Sequence, residues 1–164
     1  MLYQHEFDQS IENAKKFWAD KAQQLSWYKY PEDILSVDSK GIHHWFADGE
    51  MNTSYLALDY HVENGRADQP ALIYDSPVTG DKKTFTYAEL RDEVALCAGM
   101  LTQLGVVKGD RVVIYLPMIP EAAISMLACA RIGAIHSVVF GGFASPELAV
   151  RLNDATPKVI LTTS

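Results

Sequence analysis

The chain predicts an α/β fold: a parallel open sheet with βα repeats, preceded by an irregular helical and aromatic N-terminal arm. Three observations carry this reading. Apolar runs at Val112 to Leu116, Ile135 to Phe140 and Val159 to Leu161 have strand length. The stretches between them carry helical patterns, and strands alternating with helices imply right-handed crossovers onto a parallel sheet. The first 70 residues are different in texture, being aromatic-rich, acidic and poor in strand pattern. Two segments follow from this, an arm at residues 1–70 and a sheet-forming part at residues 71–164.

In the arm, Asn13 has the chemistry of an N-cap for a helix over Ala14 to Gln24, where Phe17, Trp18, Lys21, Ala22 and Leu25 put apolar surface at helical spacing. Trp27, Tyr28, Tyr30, Trp45, Phe46, Tyr55 and Tyr60 follow irregularly, which suggests an arm without its own core that wraps a partner surface. From Ala71 the register changes. Ala71 to Asp75 and Thr84 to Tyr87 alternate around Pro77, Gly80 and Asp81, as a hairpin with a longer loop would. Thr86 and Glu89 have the spacing of a capping box, each able to satisfy the other's free N–H. The helix they open buries Leu90, Val94, Ala98 and Leu101 and ends at Gly105, where a left-handed residue is needed.

Lys108 to Asp110 turn the chain into the strand Arg111 to Leu116. Pro117 and Pro120 bracket the entry to a second helix that ends at Gly133. That helix is apolar nearly all round and therefore needs cover on both sides. Ser145 and Pro146 suit the N-cap and first position of a third helix ending near Ala155, and the last strand is expected over Lys158 to Thr163.

At 164 residues and 48% hydrophobic, the chain is long enough to bury one substantial core, since a domain of this size hides roughly 70% of its unfolded surface. Its net charge is -7, with 12 acidic and 6 basic side chains in residues 1–70 against 9 and 8 in 71–164. Phosphate-backbone binding needs a basic surface, so nucleic acid is not an expected partner. Cys97 and Cys129 each sit inside an apolar helical pattern, which suits buried free thiols in a reducing compartment. The longest strongly apolar segment, Ala122 to Ala130, falls short of the ~20 residues of a membrane helix. The polar, acidic N-terminus lacks signal-peptide and transit-peptide character, and a cytoplasmic location is expected.

Gly141 and Gly142 lie at the carboxyl end of a parallel strand and just before a helix, where open α/β sheets bind ligands. Bare backbone there admits a phosphate or a flat ring. A tight turn requiring positive φ explains the same pair, and because such pairs are common the residues alone favour the turn. A phosphate loop and a GxGxxG loop are both absent from the sequence. His5, His43, His44, His61 and His136 lack metal-ligand spacing, so no metal site is assigned. His43 and His44 suit packing or a surface hydrogen bond, and His136 suits a satisfied core histidine. Ser145 is explained by its N-cap position. Lys108 with Arg111, and Arg131 with Arg151, would bind phosphate only if they converged; as isolated residues at element ends they are given no role. The acidic pairs Glu32 with Asp33 and Asp92 with Glu93 suit solvated surface.

Residues Trp45 to Pro77, Thr84 to Leu90 (TFTYAEL) and Gly109 to Ala155, with the N-terminal helix ending near Trp27, follow an order that resembles the N-terminal portion of the short-chain acyl-CoA synthetases, members of the adenylate-forming superfamily. The resemblance covers almost the whole chain. Within that family the loop GGFAS, with Ala144 between Phe143 and Ser145, looks more like propionyl-CoA synthetases than acetyl-CoA synthetases, whose loop reads GGFSPE. The resemblance implies that residues 71–164 begin the large adenylate-forming domain. It also implies a two-step reaction: a carboxylate attacks the α-phosphorus of MgATP, giving an acyl-adenylate and pyrophosphate, and the thiol of coenzyme A then displaces AMP. ATP, Mg2+, CoA and propionate or another short-chain carboxylate are the implied cofactors and partners. The family's phosphate loop, ribose-binding aspartate and catalytic lysine map to no residue here, so no catalytic residue is assigned and the 164 residues are expected to be inactive alone. Phe140, Gly141 and Gly142 match positions that line the CoA nucleotide pocket.

Three competing readings remain. An acetyl-CoA synthetase portion is one. Another is a non-enzymatic flavodoxin-like or receiver-like binding module; a receiver needs aspartates at its strand ends, where this chain has Leu116, Pro117, Phe140 and Gly141. The third is a structural interaction domain using the aromatic arm. A strand running to Ser164 is expected to leave an unpaired edge, and with the apolar second helix it favours self-association.

Overall fold

In the computed structural model the described residues are 2–163; Ser164, the expected edge residue, lies outside them. The chain forms two compact units, Met1–Asn52 and Thr53–Ser164. The arm expected over 1–70 therefore spans the first unit and the helical start of the second.

The first unit contains two helices where the sequence suggested one, α1 (Leu2–Glu12) and α2 (Ala14–Ala22), followed by a small antiparallel pair, β1 (Leu35–Val37) and β2 (His43–Trp45). Asn13 makes no side-chain capping bond: α1 runs into α2 through this one residue, whose own amide donates to the Gln9 carbonyl at 3.0 Å. Only Ala22 and Pro31 are buried among the described residues of this unit. The aromatics nevertheless pack on one another. Trp18 meets Trp45 edge-on at 6.1 Å, and Trp27 lies 5.7 Å from Phe46 and donates its indole N–H to the Ala22 carbonyl at 2.8 Å. The unit is thus a thin aromatic cluster. His44 hydrogen-bonds Asp38 at 3.1 Å, the surface role its neighbours suggested.

The second unit opens with wide-turned helical segments, Tyr55–Asp59 and Val62–Arg66, broken at Gly65 (φ 78°). The hairpin β3 (Pro70–Asp75) and β4 (Lys82–Thr86) follows. Tyr87, expected in the second strand, instead opens α3 (Tyr87–Gln103), because the Thr86–Glu89 capping box starts the helix there. Leu90, Val94, Ala98 and Leu101 form its buried stripe, and Gly105 leaves with φ 82°. The parallel sheet has three strands among the described residues, in the order β6-β5-β7: β5 (Arg111–Tyr115) lies between β6 (Ile135–Val138) and β7 (Val159–Thr162). α4 (Pro120–Ile132) and α5 (Ser145–Ala155) make the two crossovers.

β5 is covered on both faces. Val112 and Ile114 join the main core, while Val113, pointing the other way by strand alternation, is equally buried. α4 packs on β5 and β6 and is covered in turn by α3, which supplies the second layer that its apolar circumference demanded. β6 is shorter than the expected Ile135–Phe140. His136 on it is exposed, not a core histidine, because β6 is an outer strand of the described sheet. Ser145 is the first helical residue of α5 and not its N-cap; Ala144 takes that place without a side-chain bond. The thiols are unpaired, Cys129 buried and Cys97 only half-buried.

Candidate functional site

The candidate site is the turn that follows β6 at the carboxyl edge of the parallel sheet. Phe143 N–H donates to the Phe140 carbonyl at 3.0 Å, closing a four-residue turn with Gly141 and Gly142 at its centre. Neither glycine has positive φ, so the conformational reason for glycine is absent here. The reason is close approach. A Cβ on Gly141 would stand 3.1 Å from the Leu116 carbonyl oxygen and 3.3 Å from the Pro117 nitrogen, both backbone atoms. A Cβ on Gly142 would lie 2.6 Å from the Phe140 ring, which folds over that residue. Both glycines are exposed, and among the described residues their amides donate to no protein group. Phe140 is 66% exposed.

Beside this turn runs an apolar groove of about 840 Å³, floored by Val138 to Gly142 and walled by Leu72 to Tyr74 of β3, Leu116 to Pro120, and Ala122, Ala123 and Met126 of α4. No Lys or Arg lines the groove. Its chemistry suits a flat ring stacked on Phe140, with backbone amides as anion contacts. It provides no side-chain cation to neutralise a phosphate.

The basic residues do not converge on it. Arg111 is at the opposite end of β5, where Nε donates to the Ala155 carbonyl at 2.9 Å and Nη2 to Thr156 O and Oγ1 at 3.1 and 3.0 Å. That grip holds Thr156, a non-glycine residue at φ 42°. Lys158 pairs with Asp110 at 3.1 Å, and the carboxyl of Asp110 is held below its ordinary pKa first by the Val107 amide and then by Lys158. Arg131 makes a two-pronged ion pair with Asp59 at 2.7 and 2.8 Å, which lowers the Asp59 pKa and ties the end of α4 to the Tyr55–Asp59 segment. Arg151 stacks on the Phe143 ring at 4.4 Å. The sequence offered no way to pair Arg131 with a residue 72 positions away.

Tyr115 is the site residue that pattern reading passed over. Its hydroxyl donates to the Phe143 carbonyl at 2.8 Å, from the last position of β5 to the far end of the glycine turn. The usable signal was its place at a parallel strand's carboxyl end. Among the described residues no group of three or more His, Cys, Asp or Glu side chains could hold a metal ion.

Residues 58–164 match the model of the AMP-binding enzyme family, and residues 3–57 match that of the acetyl-coenzyme A synthetase N-terminus. The chain belongs to the AMP-binding enzyme family. Within it, the human acyl-CoA synthetase short-chain family member 3, mitochondrial, is 50% identical over 162 residues, covering 99% of this chain and 24% of that protein. An acetyl-coenzyme A synthetase of Streptomyces coelicolor is 49% identical over 156 residues, or 95% of this chain and 24% of its own length. The solved acetoacetyl-CoA synthetase from Streptomyces lividans superposes with a TM-score of 0.83 at 30% identity, over 94% of this chain and 24% of that one. The chain spans about a quarter of the length of the curated relatives it matches. Within the AMP-binding enzyme family these 164 residues therefore correspond to the acetyl-CoA synthetase type of N-terminal segment and the first parallel strands after it.

Proposed function

We propose that these residues form the N-terminal portion of an ATP-dependent, AMP-forming short-chain acyl-CoA synthetase that converts propionate, ATP and CoA into propionyl-CoA, AMP and pyrophosphate. The observation that carries it is the exposed Phe140–Gly142 turn at the sheet's carboxyl edge, beside an uncharged groove. Phe140 would hold the adenine of CoA by stacking, and the Gly141 and Gly142 amides would meet its phosphates, an arrangement that exposed backbone N–H groups favour. CoA supplies the thiol that takes up the activated acyl group. Since no cation lines the groove, the phosphate charge must be neutralised by residues outside it, and the 164 residues alone bind CoA weakly and catalyse nothing. ATP and Mg2+ belong to the longer protein, as no phosphate loop is present in this sequence.

Preference for propionate is supported by Ala144 in GGFAS. Acetate is the second reading, supported by 49% identity to an acetyl-coenzyme A synthetase. A cytoplasmic, reducing location is part of the proposal and is supported by the two unpaired thiols. The test is carboxylate-dependent ATP–pyrophosphate exchange, run with propionate and acetate on a protein carrying these residues at the relatives' full length and on the 164-residue chain. Exchange by the longer protein with propionate preferred is expected. Acetate preferred would move the assignment to the second reading, and turnover by the 164 residues alone would overturn the claim of inactivity.

A further inference from the structure

The glycine turn has few bonds of its own: one Phe143-to-Phe140 hydrogen bond closes it, and its glycines contribute no side-chain contact. What holds it in place converges on Phe143. The Tyr115 hydroxyl fixes the Phe143 carbonyl at 2.8 Å. The Arg151 guanidinium, itself held near Glu147 at 3.3 Å, covers the Phe143 ring at 4.4 Å. The Phe143 ring then meets the Phe140 ring edge-on at 5.8 Å and 85°, so the orientation of the exposed stacking ring is set by the anchored one. Two rigid elements thus grip one residue, β5 through Tyr115 and α5 through Arg151.

We infer that Tyr115 is a positioning residue, seconded by Arg151: through Phe143 they hold the turn so that the Phe140 ring and the Gly141 and Gly142 amides are presented ready for a nucleotide. The inference deepens the proposed function and rests on its assignment of the turn to CoA. Holding the turn before binding spares the entropy of ordering it on contact, so its loss lowers affinity without removing any group that touches the ligand. Tyr115 reaches the turn because its strand is paired directly beside β6, the strand from which the turn leaves.

The test uses the 15N-labelled 164-residue chain, reading the amide signals of Gly141, Gly142 and Val113, with adenosine 3′,5′-bisphosphate as probe. Tyr115→Phe removes one hydroxyl and keeps the ring. It should broaden and shift the two glycine signals, leave Val113 in the buried strand unmoved, and weaken probe binding about fivefold, the scale of one hydrogen bond. Arg151→Gln should do the same to a smaller degree, while Arg151→Lys, which keeps a cation over the ring, should restore most of the wild-type signals. If Tyr115→Phe leaves the glycine signals and the affinity as they were, the inference is overturned, and Arg151→Gln decides the matter should the tyrosine variant fail to fold. Glycine signals that respond to both variants, when a protein carrying these residues at the relatives' full length shows no probe binding, would uphold the positioning role while sinking the nucleotide reading.

Discussion

At the scale of single residues, Gly141 and Gly142 look alike in sequence and are constrained differently. A methyl on Gly141 meets backbone at Leu116 and Pro117, which cannot turn aside; a methyl on Gly142 meets only the exposed Phe140 ring, a side chain that can yield at the expense of its contact with Phe143. Gly141→Ala should therefore destabilise the chain by about 1–3 kcal/mol, the range for overpacking, and Gly142→Ala by clearly less. Urea unfolding of the two variants checks the order, and equal midpoints would contradict it. The thiols differ as well. Burial, with the neighbouring Cys97 as a smaller contribution, pushes the Cys129 thiol up to about 11. At pH 8 Cys129 is protonated and enclosed, so a disulfide reagent should label Cys97 first and Cys129 only on unfolding. Equal labelling rates in the native chain would show that α3 and α4 separate readily.

Among elements, the join between α4 and the Tyr55–Asp59 segment depends on one charged pair. The Arg131 and Asp59 side chains are 28% and 17% exposed, so water screens the pair only in part, and removing one partner strands the other. Arg131→Gln should cost about 1.5–3 kcal/mol at neutral pH, as for a hydrogen bond to a charged group. The pair's pH dependence follows from its sign. Arg131 holds the folded Asp59 carboxyl below its ordinary 3.8, so the stabilisation is complete above that value and lost as pH falls through the lower folded value. The gap between wild type and Arg131→Gln should narrow in acid; thermal melts at pH 7 and pH 3 measure it, and a constant gap would be the contrary result. The α3 capping box is a second such device, and Thr86→Ala should cost about 1 kcal/mol by the same melts.

For the whole molecule, the described sheet ends on both sides in strands with apolar, solvent-facing residues, Ile135 and Val138 on β6 and Ile160 on β7. Open edges of this kind recruit further strands. The 164-residue chain should self-associate with rising concentration in sedimentation velocity, and Val138→Lys should reduce the effect. A single monomeric species for the unmodified chain would show that these edges are blunted.

Local chemistry was readable where partners are close in the chain. The capping box of Thr86 and Glu89 and the exits at Gly105 and Gly133 need only neighbours. So does the strand–helix alternation from Arg111 onward. α1 was missed: Tyr3, Phe7 and Ile11 recur at helical spacing, but all three are exposed and no buried stripe marks them. Misreadings came where burial decides: His136 looked internal because its strand is apolar, yet its strand is an outer one.

The sequence by itself determined the α/β class, the start of α3 at its capping box, the helix exits at Gly105 and Gly133, and a turn at Gly141 and Gly142. Folding in three dimensions decided why those glycines are glycine, that Arg131 is bound to Asp59, and that Tyr115 and Arg151 meet at Phe143. The division has a physical cause. Backbone propensity and capping act within a few residues, whereas van der Waals approach, ion pairing and burial depend on which distant segments the sheet brings together.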